Sequence, residues 1–347
     1  MTASFTRIDA ITPLPSPARV HPSSAAPLRI GLVQHAWQPD GAELARHLDE
    51  GIGRAADADA RIVFLPELTL SRYPADRRPT ERPDASAEDL DTGPTRTFAA
   101  AAAARHGVFV HASLYERSVY ENRGATDGRG LNTAIIVSPT GDVVAKTHKL
   151  HIPVTAGYYE DEYFRPGPAT GATASGPAVA SGPYPVYDIA ALSNARIGLP
   201  TCWDEWFPEV ARAYSLGGAN IVVYPTAIGS EPDHPGFDTQ PLWQQVIVGN
   251  GIANGLFMVV PNRTGTEHAP DGATGNTFYG SSFVSDPYGR ILAQAPRDAE
   301  AVLVVDLDLA QRDDSLDLFP FLQTRRPDTY GALLEPVAQR RETRDGA

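Results

Sequence analysis

Cys202 is the only cysteine in 347 residues, and it stands where the apolar run Arg196-Ile-Gly-Leu-Pro-Thr201 gives way to the polar stretch Trp203-Asp-Glu-Trp-Phe-Pro-Glu209. A lone thiol can close no intramolecular disulfide and complete no cysteine-rich metal site, so two uses stay open, core packing and nucleophilic chemistry. Four apolar runs end in proline and a polar residue: Leu65-Pro66-Glu67, Leu199-Pro200-Thr201-Cys202, Tyr224-Pro225-Thr226 and Val260-Pro261-Asn262. In α/β sheets the strand ends deliver functional side chains to a shared crevice, so Glu67 and Cys202 can meet there. For Thr226 and Asn262, a proline that only stops a strand is an equal reading. A third charged group, Lys149, lies in Lys146-Thr-His-Lys149-Leu-His-Ile-Pro153, where the alternative is a solvated strand edge.

The elements needed to position these groups are visible in the pattern. From Arg29 onward, short β-rich runs (Ile30-Gly-Leu-Val33, Ile62-Val-Phe-Leu65, Val108-Phe-Val-His-Ala112, Ala134-Ile-Ile-Val137, Ile221-Val-Val-Tyr224, Phe257-Met-Val-Val260, Val302-Leu-Val-Val305) alternate with helical stretches. Leu44, Leu48 and Ile52 recur every four residues and mark one face of an amphipathic helix. The alternation predicts an α/β fold. Ser138-Pro-Thr-Gly141 and Asp286-Pro-Tyr-Gly289 read as hairpin turns, so the sheets are expected to be mixed. Residues 1–27, rich in Pro, Ser, Ala and Thr, read as a flexible leader outside the fold, and 167–185 as a low-complexity insertion forming an exposed loop.

Composition narrows the function classes. A net charge of -13 without a long basic cluster argues against nucleic acid and anionic lipid as partners and favours a cationic or neutral small molecule. With 42% hydrophobic residues the chain can bury a substantial core, yet it holds no run of 18 apolar residues. Together with the single free thiol, this predicts a soluble cytoplasmic protein.

Four segments resemble the nitrilase-like carbon-nitrogen hydrolases: Phe64-Leu-Pro-Glu67, Lys149-Leu-His-Ile-Pro153, Cys202-Trp-Asp204, and Tyr159-Glu160 with Tyr163-Phe164-Arg-Pro-Gly167. The resemblance runs from about Arg29 to Tyr330. Longer words, Cys202-Trp-Asp-Glu-Trp-Phe-Pro-Glu-Val-Ala-Arg212, Tyr224-Pro-Thr-Ala-Ile-Gly-Ser-Glu-Pro232, Phe278-Tyr-Gly-Ser-Ser-Phe283 and Arg325-Arg-Pro-Asp-Thr-Tyr330, are similar to its N-carbamoylputrescine amidohydrolase group. The resemblance implies a four-layer αββα sandwich with two mixed β-sheets, one domain over residues 28–335, a tail at 336–347, and assembly as a homodimer or larger oligomer. It implies a cofactor-free, metal-free hydrolase in which Cys202 is the nucleophile, Glu67 the general base and acid, and Lys149 with the Trp203 backbone N–H the oxyanion donors. Glu160 would hold Lys149 charged and oriented or assist the base.

Those residue types belong together for a chemical reason. A thiol of pKa near 8.5 is only a few per cent ionised at pH 7, so attack on an unreactive amide or ureide carbon needs an adjacent base. The same group, once protonated, must protonate the departing nitrogen. No arginine fork for a carboxylate follows Cys202; Trp203, Asp204, Glu205 and Trp206, with Glu231, suit an alkylammonium tail instead. By resemblance Glu231 takes the far amine while Tyr158 and Trp203 line the pocket. Glu205 stands where the similar group usually carries glutamine and is expected to contact substrate. Asp204 and Glu209 serve equally well as helix caps. His151, inside the lysine word, is read as packing or hydrogen bonding. The expected activity is hydrolysis of an N-carbamoyl amine, foremost N-carbamoylputrescine, to the amine, ammonia and carbon dioxide; an amidase, an N-carbamoyl amino acid hydrolase or an inactive metabolite-binding homologue are the alternatives.

Overall fold

Residues 5–23, 25–117, 127–169, 178–180, 182–269 and 271–335 are described by the computed structural model. Side chains alternate across each central strand, and that alternation dictates the layers. In Ile62–Phe64, Ile62 and Phe64 face one core while Val63 faces another; in Ile221–Val223, Ile221 and Val223 join the core of Ile62 and Val222 faces away. Two sheets therefore share a central apolar layer and each presents its outer face to helices.

The first sheet orders its seven strands Thr6–Ala10, Ala301–Leu307, Leu28–Gln34, Ile62–Phe64, Phe109–Glu116, Leu131–Val137, Val143–His148. The second orders Ile291–Gln294, Phe283–Ser285, Phe257–Val260, Ile221–Val223, Ala195–Gly198, Val186–Ile189, Ala178–Ala180. Each has three parallel strands at its centre, with antiparallel neighbours on both flanks. Helices α1 (Gly41–Ala56) and α2 (Pro94–His106) cover the first sheet; α3 (Pro208–Leu216) and α4 (Gln240–Asn254) cover the second. This is the expected four-layer αββα sandwich with mixed sheets.

Helix α1 begins at Asp40, whose side chain accepts from the Ala42 and Glu43 N–H groups, and buries Leu44, Leu48 and Ile52 against the sheet, as the four-residue spacing predicts. Both Pro-x-Gly turns close antiparallel hairpins: Gly141 (φ +87°) and Gly289 (φ +80°) supply the left-handed residue, with Gly141 N–H donating to Ser138 O at 2.9 Å.

Two expectations are corrected. The leader is not outside the fold: Thr6–Ala10 pairs in parallel with Ala301–Leu307 as an edge strand, and Phe5 is buried, stacked on His47 at 4.3 Å. Arg19 pairs with Asp308 and Asp314, and Gln311 donates to Leu14 O, so the proline-rich stretch is fastened to the body. Proline and serine content masked a five-residue strand too short for a sequence pattern to reveal. Within 167–185, Ala178–Ala180 forms an edge strand on Val186–Ile189 and not a plain loop; 170–177, 181 and the expected tail 336–347 lie outside the described residues. Among the described residues, no helix is long and apolar enough to cross a membrane.

Removal of the Phe5 ring leaves a cavity beside His47, so Phe5→Ala is expected to lose about 3 kcal/mol of unfolding free energy in urea. A change within about 0.5 kcal/mol, the range of surface substitutions, would show that the N-terminal strand is not attached.

Candidate active site

Three of the singled-out residues follow a strand: Glu67 after Ile62–Phe64, Lys149 after Val143–His148, Cys202 after Ala195–Gly198. Lys149 is fully buried, and its ammonium donates to Glu67 Oε1 at 3.0 Å and to Glu160 Oε2 at 2.7 Å. All four carboxylate oxygens are engaged. Asn132 Nδ2 donates to Glu67 Oε1 at 2.7 Å, the Ala227 N–H to Glu67 Oε2 at 2.9 Å, and the Tyr73 hydroxyl to Glu160 Oε1 at 2.8 Å. Burial alone would lower the pKa of Lys149, but Glu160 and Glu67 outweigh it and hold the ammonium well above its ordinary range. Burial raises Glu160 to about 7, with Lys149 opposing the rise.

Cys202 opens a short 3-10 turn, Cys202–Trp206, with φ +43°, a left-handed conformation that is costly for a residue with a Cβ. The turn is held from two sides. The Cys202 N–H donates to Pro225 O at 3.1 Å, and two residues further on the Ala227 N–H holds Glu67, so the segment 225–227 ties the thiol-bearing backbone to the carboxylate. Asp204, nearly fully buried, accepts from Thr201 N at 3.1 Å, His151 N at 2.9 Å and His151 Nδ1 at 2.7 Å, pinning the same turn to the segment after Lys149. Of the two roles open for Asp204, it takes the capping one; Glu209 is exposed in the first turn of α3. His151 stacks on Phe207 at 3.8 Å and bonds Asp204, which is packing and hydrogen bonding. Burial pushes the Cys202 thiol well up; Glu67, Glu205 and Glu160 add to the rise and only Lys149 opposes it. These effects favour the neutral thiol at Cys202.

The other residues singled out are placed as follows. Tyr158 is buried edge-on to Tyr73, and its hydroxyl accepts the Gly229 N–H at 3.0 Å beside Ser230 and Glu231. Glu231 is half-buried, and burial raises its carboxyl. Trp203 is half-buried and tilted against Trp206 at 6.2 Å. Glu205 is fully buried, with no hydrogen bond to either carboxyl oxygen among the described residues. Thr226 and Asn262 are stitches: Thr226 Oγ1 donates to Pro261 O, and the Asn262 side chain bonds Ile228 N, Ile228 O and Gly280 O.

Arg263 was missed by sequence reasoning. Fully buried, it donates to Glu67 O at 2.9 Å, Leu68 O at 2.5 Å and Ser71 O at 2.7 Å, and pairs with Glu267, which in turn accepts the Tyr73 N–H. One guanidinium thereby fixes the backbone of Glu67 and, through Glu267, that of Tyr73. The signal was one residue beyond Val260-Pro261-Asn262, in a charged side chain following a strand end.

Comparison with known proteins gives a consistent picture. The family model for carbon-nitrogen hydrolases matches residues 29–314. A citrullinase of Francisella tularensis is 32% identical over 310 residues, covering 89% of this chain and 99% of that protein. An N-carbamoylputrescine amidase of Arabidopsis thaliana is 39% identical over 208 residues, 58% of this chain and 63% of that one. The crystal structure of a carbon-nitrogen hydrolase from Helicobacter pylori G27 superposes with a TM-score of 0.72 at 29% identity, covering 89% of this chain and 98% of that chain.

Two outcomes follow from the geometry. Because the thiol's pKa is raised, the rate of Cys202 modification by methyl methanethiosulfonate is expected to keep climbing past about pH 8.5, the ordinary thiol value; a plateau near neutrality would mean a preformed thiolate. Arg263→Met strands a buried carboxylate and three carbonyls, so a loss of about 3 to 5 kcal/mol in urea unfolding is expected, and a loss under about 1 kcal/mol would contradict the clamp.

Proposed function

The chain belongs to the carbon-nitrogen hydrolase family and is a hydrolase of carbon-nitrogen bonds, and from that premise we propose that it cleaves N-carbamoyl amines, N-carbamoylputrescine foremost, through a covalent intermediate on Cys202. The observation that carries this reading is the buried ammonium of Lys149 bonded to Glu67, whose carboxylate is tied through segment 225–227 to the Cys202 backbone.

In the proposed reaction Glu67 takes the thiol proton as sulfur attacks the carbonyl carbon, and the carbonyl π electrons move onto oxygen. That oxyanion is met by the Lys149 ammonium and the Trp203 N–H, worth roughly 3 to 4 kcal/mol per well-aimed donor. Protonated Glu67 then delivers its proton to the leaving nitrogen as the carbon-nitrogen bond breaks. A water molecule deprotonated by Glu67 attacks the thiocarbamate, the carbon-sulfur bond breaks, and the proton returns to sulfur. The carbamate released gives ammonia and carbon dioxide. Glu160 keeps Lys149 charged and aimed. The chemistry uses only protein side chains and water.

Half-buried Glu231 beside Tyr158 supports a cationic tail, with Trp203 and Tyr158 as walls and Glu205 near the reacting end. Citrulline is a second reading, favoured by the citrullinase relative that matches at nearly full length. Both substrates carry a ureido group and an ammonium. Exposed Leu216, Ile252, Leu318 and Phe319 support assembly as a homodimer or larger, and the free thiol fits a reducing cytoplasm.

Ammonia release from N-carbamoylputrescine, citrulline, N-carbamoyl-β-alanine, aliphatic amides and nitriles tests the reading. The carbamoyl amines are expected to react, Cys202→Ala to lower kcat by about 10⁴-fold or more, and Glu231→Gln to raise KM for the cationic substrates about tenfold. Wild-type rates in the Ala variant, or turnover confined to N-carbamoyl-β-alanine, would defeat it.

A further inference from the structure

Glu205 has no electrostatic or hydrogen-bonding reason of its own to be where it is. Among the described residues neither carboxyl oxygen has a hydrogen-bond partner and no cation pairs with it, and the Trp243 indole N–H lies beside it without reaching hydrogen-bond geometry. Lys149 spends its hydrogen bonds on Glu67 and Glu160. A buried polar group left unpaired costs about 1 to 3 kcal/mol, and such orphans call for an explanation. Nor can the side chain be dismissed as loosely placed. Asn250 Nδ2 holds the Glu205 carbonyl at 3.0 Å, and the preceding residue, Asp204, clamps the turn.

Its surroundings locate the missing partner. The charged and titratable groups acting on the carboxyl, or acted on by it, are Glu67, Lys149, Asp204, Cys202, Tyr224 and Tyr279, so it belongs to the reacting end of the site and not to the tail end near Glu231. With one buried ammonium already shared by two carboxylates, a third buried carboxyl without a cation is held neutral, and burial pushes it well above the ordinary range. A neutral carboxyl offers one carbonyl acceptor and one hydroxyl donor, as a carboxamide offers an acceptor and donors.

A carbamoyl group differs from an acyl group by a second nitrogen on the reacting carbon. We propose that Glu205 reads that second nitrogen: its carbonyl oxygen accepts the N–H that a ureide carries and an amide lacks, which makes the site select carbamoyl substrates over amides. The inference rests on the functional reading above and adds its selectivity. An amide bound in the same pose leaves the acceptor unpaired, and sites built around a substrate N–H reject analogues lacking it.

The test measures kcat/KM for N-carbamoylputrescine and two carbon isosteres, N-acetylputrescine and 6-aminohexanamide, in wild type, Glu205→Gln and Glu205→Met. Wild type is expected to prefer the ureide by about 100-fold or more, Gln to keep that preference within about threefold because its carbonyl remains, and Met to cut the ureide-to-isostere ratio about 10- to 100-fold. An unchanged ratio in Met overturns the inference, as does a ratio lost in Gln, which would mean that charge and not the acceptor matters. If the Met variant does not fold, the Gln result decides alone. Equal wild-type rates on ureide and isosteres leave the functional reading standing and overturn this inference; no turnover of any carbamoyl amine overturns both.

Discussion

Burying a lysine as a cation costs several kcal/mol unless carboxylates meet it, and burying two carboxylates costs more unless a cation meets them. Lys149, Glu67 and Glu160 settle both costs together, with an ammonium 3.0 Å from one carboxylate and 2.7 Å from the other and none of the three open to solvent. Removing Lys149 leaves two buried carboxylates without a cation. The surrounding hydrogen bonds from Asn132, Ala227 and Tyr73 fill the remaining acceptor positions, so the cluster has one geometry and not several.

The two-sheet architecture serves that cluster. Glu67 comes from the first sheet and Cys202 and Ala227 from the second, each three or four residues past a strand of its parallel centre, so the packing of one sheet on the other sets the distance between carboxylate and thiol. Rigid strands alone would leave the loop residues free. Arg263 grips the carbonyls of Glu67, Leu68 and Ser71 from the second sheet, and Asp204 grips the Lys149 segment from the turn that carries Cys202. These clamps explain how Leu68 (φ +50°) and Cys202 (φ +43°) sustain left-handed backbone, a cost of about 1 to 3 kcal/mol each that the neighbours must offset.

The sequence carried the chemistry more clearly than its supports. Glu67 and Cys202 could be read because proline-terminated apolar runs announce strand ends, and the αββα layers because Leu44, Leu48 and Ile52 and the β-rich runs obey their periods. The strand Thr6–Ala10 could not be read, since five residues next to a proline-rich stretch carry too little pattern and their pairing partner lies some 295 positions away. Arg263 escaped for a related reason: apart from Glu267 its partners are backbone carbonyls, which have no sequence signature. Glu205 was legible as a residue type but not as a state, because neutrality depends on which cations are already spoken for in three dimensions.

Counting charge through the proposed reaction shows why the ammonium is so deeply seated. At rest it faces two carboxylates; when Glu67 takes the thiol proton, negative charge leaves Glu67 and reappears on the substrate oxygen, within reach of the same ammonium. The net charge of the buried cluster is unchanged, and Lys149 exchanges one anionic partner for another while Glu160 holds it in place. A dry, fixed cation therefore stabilises the developing oxyanion with little reorganisation, which is where electrostatic catalysis is strongest. A carboxyl at position 205 fits this economy only while it carries its own proton, since a second permanent charge beside Glu67 would compete with the oxyanion for the one ammonium available.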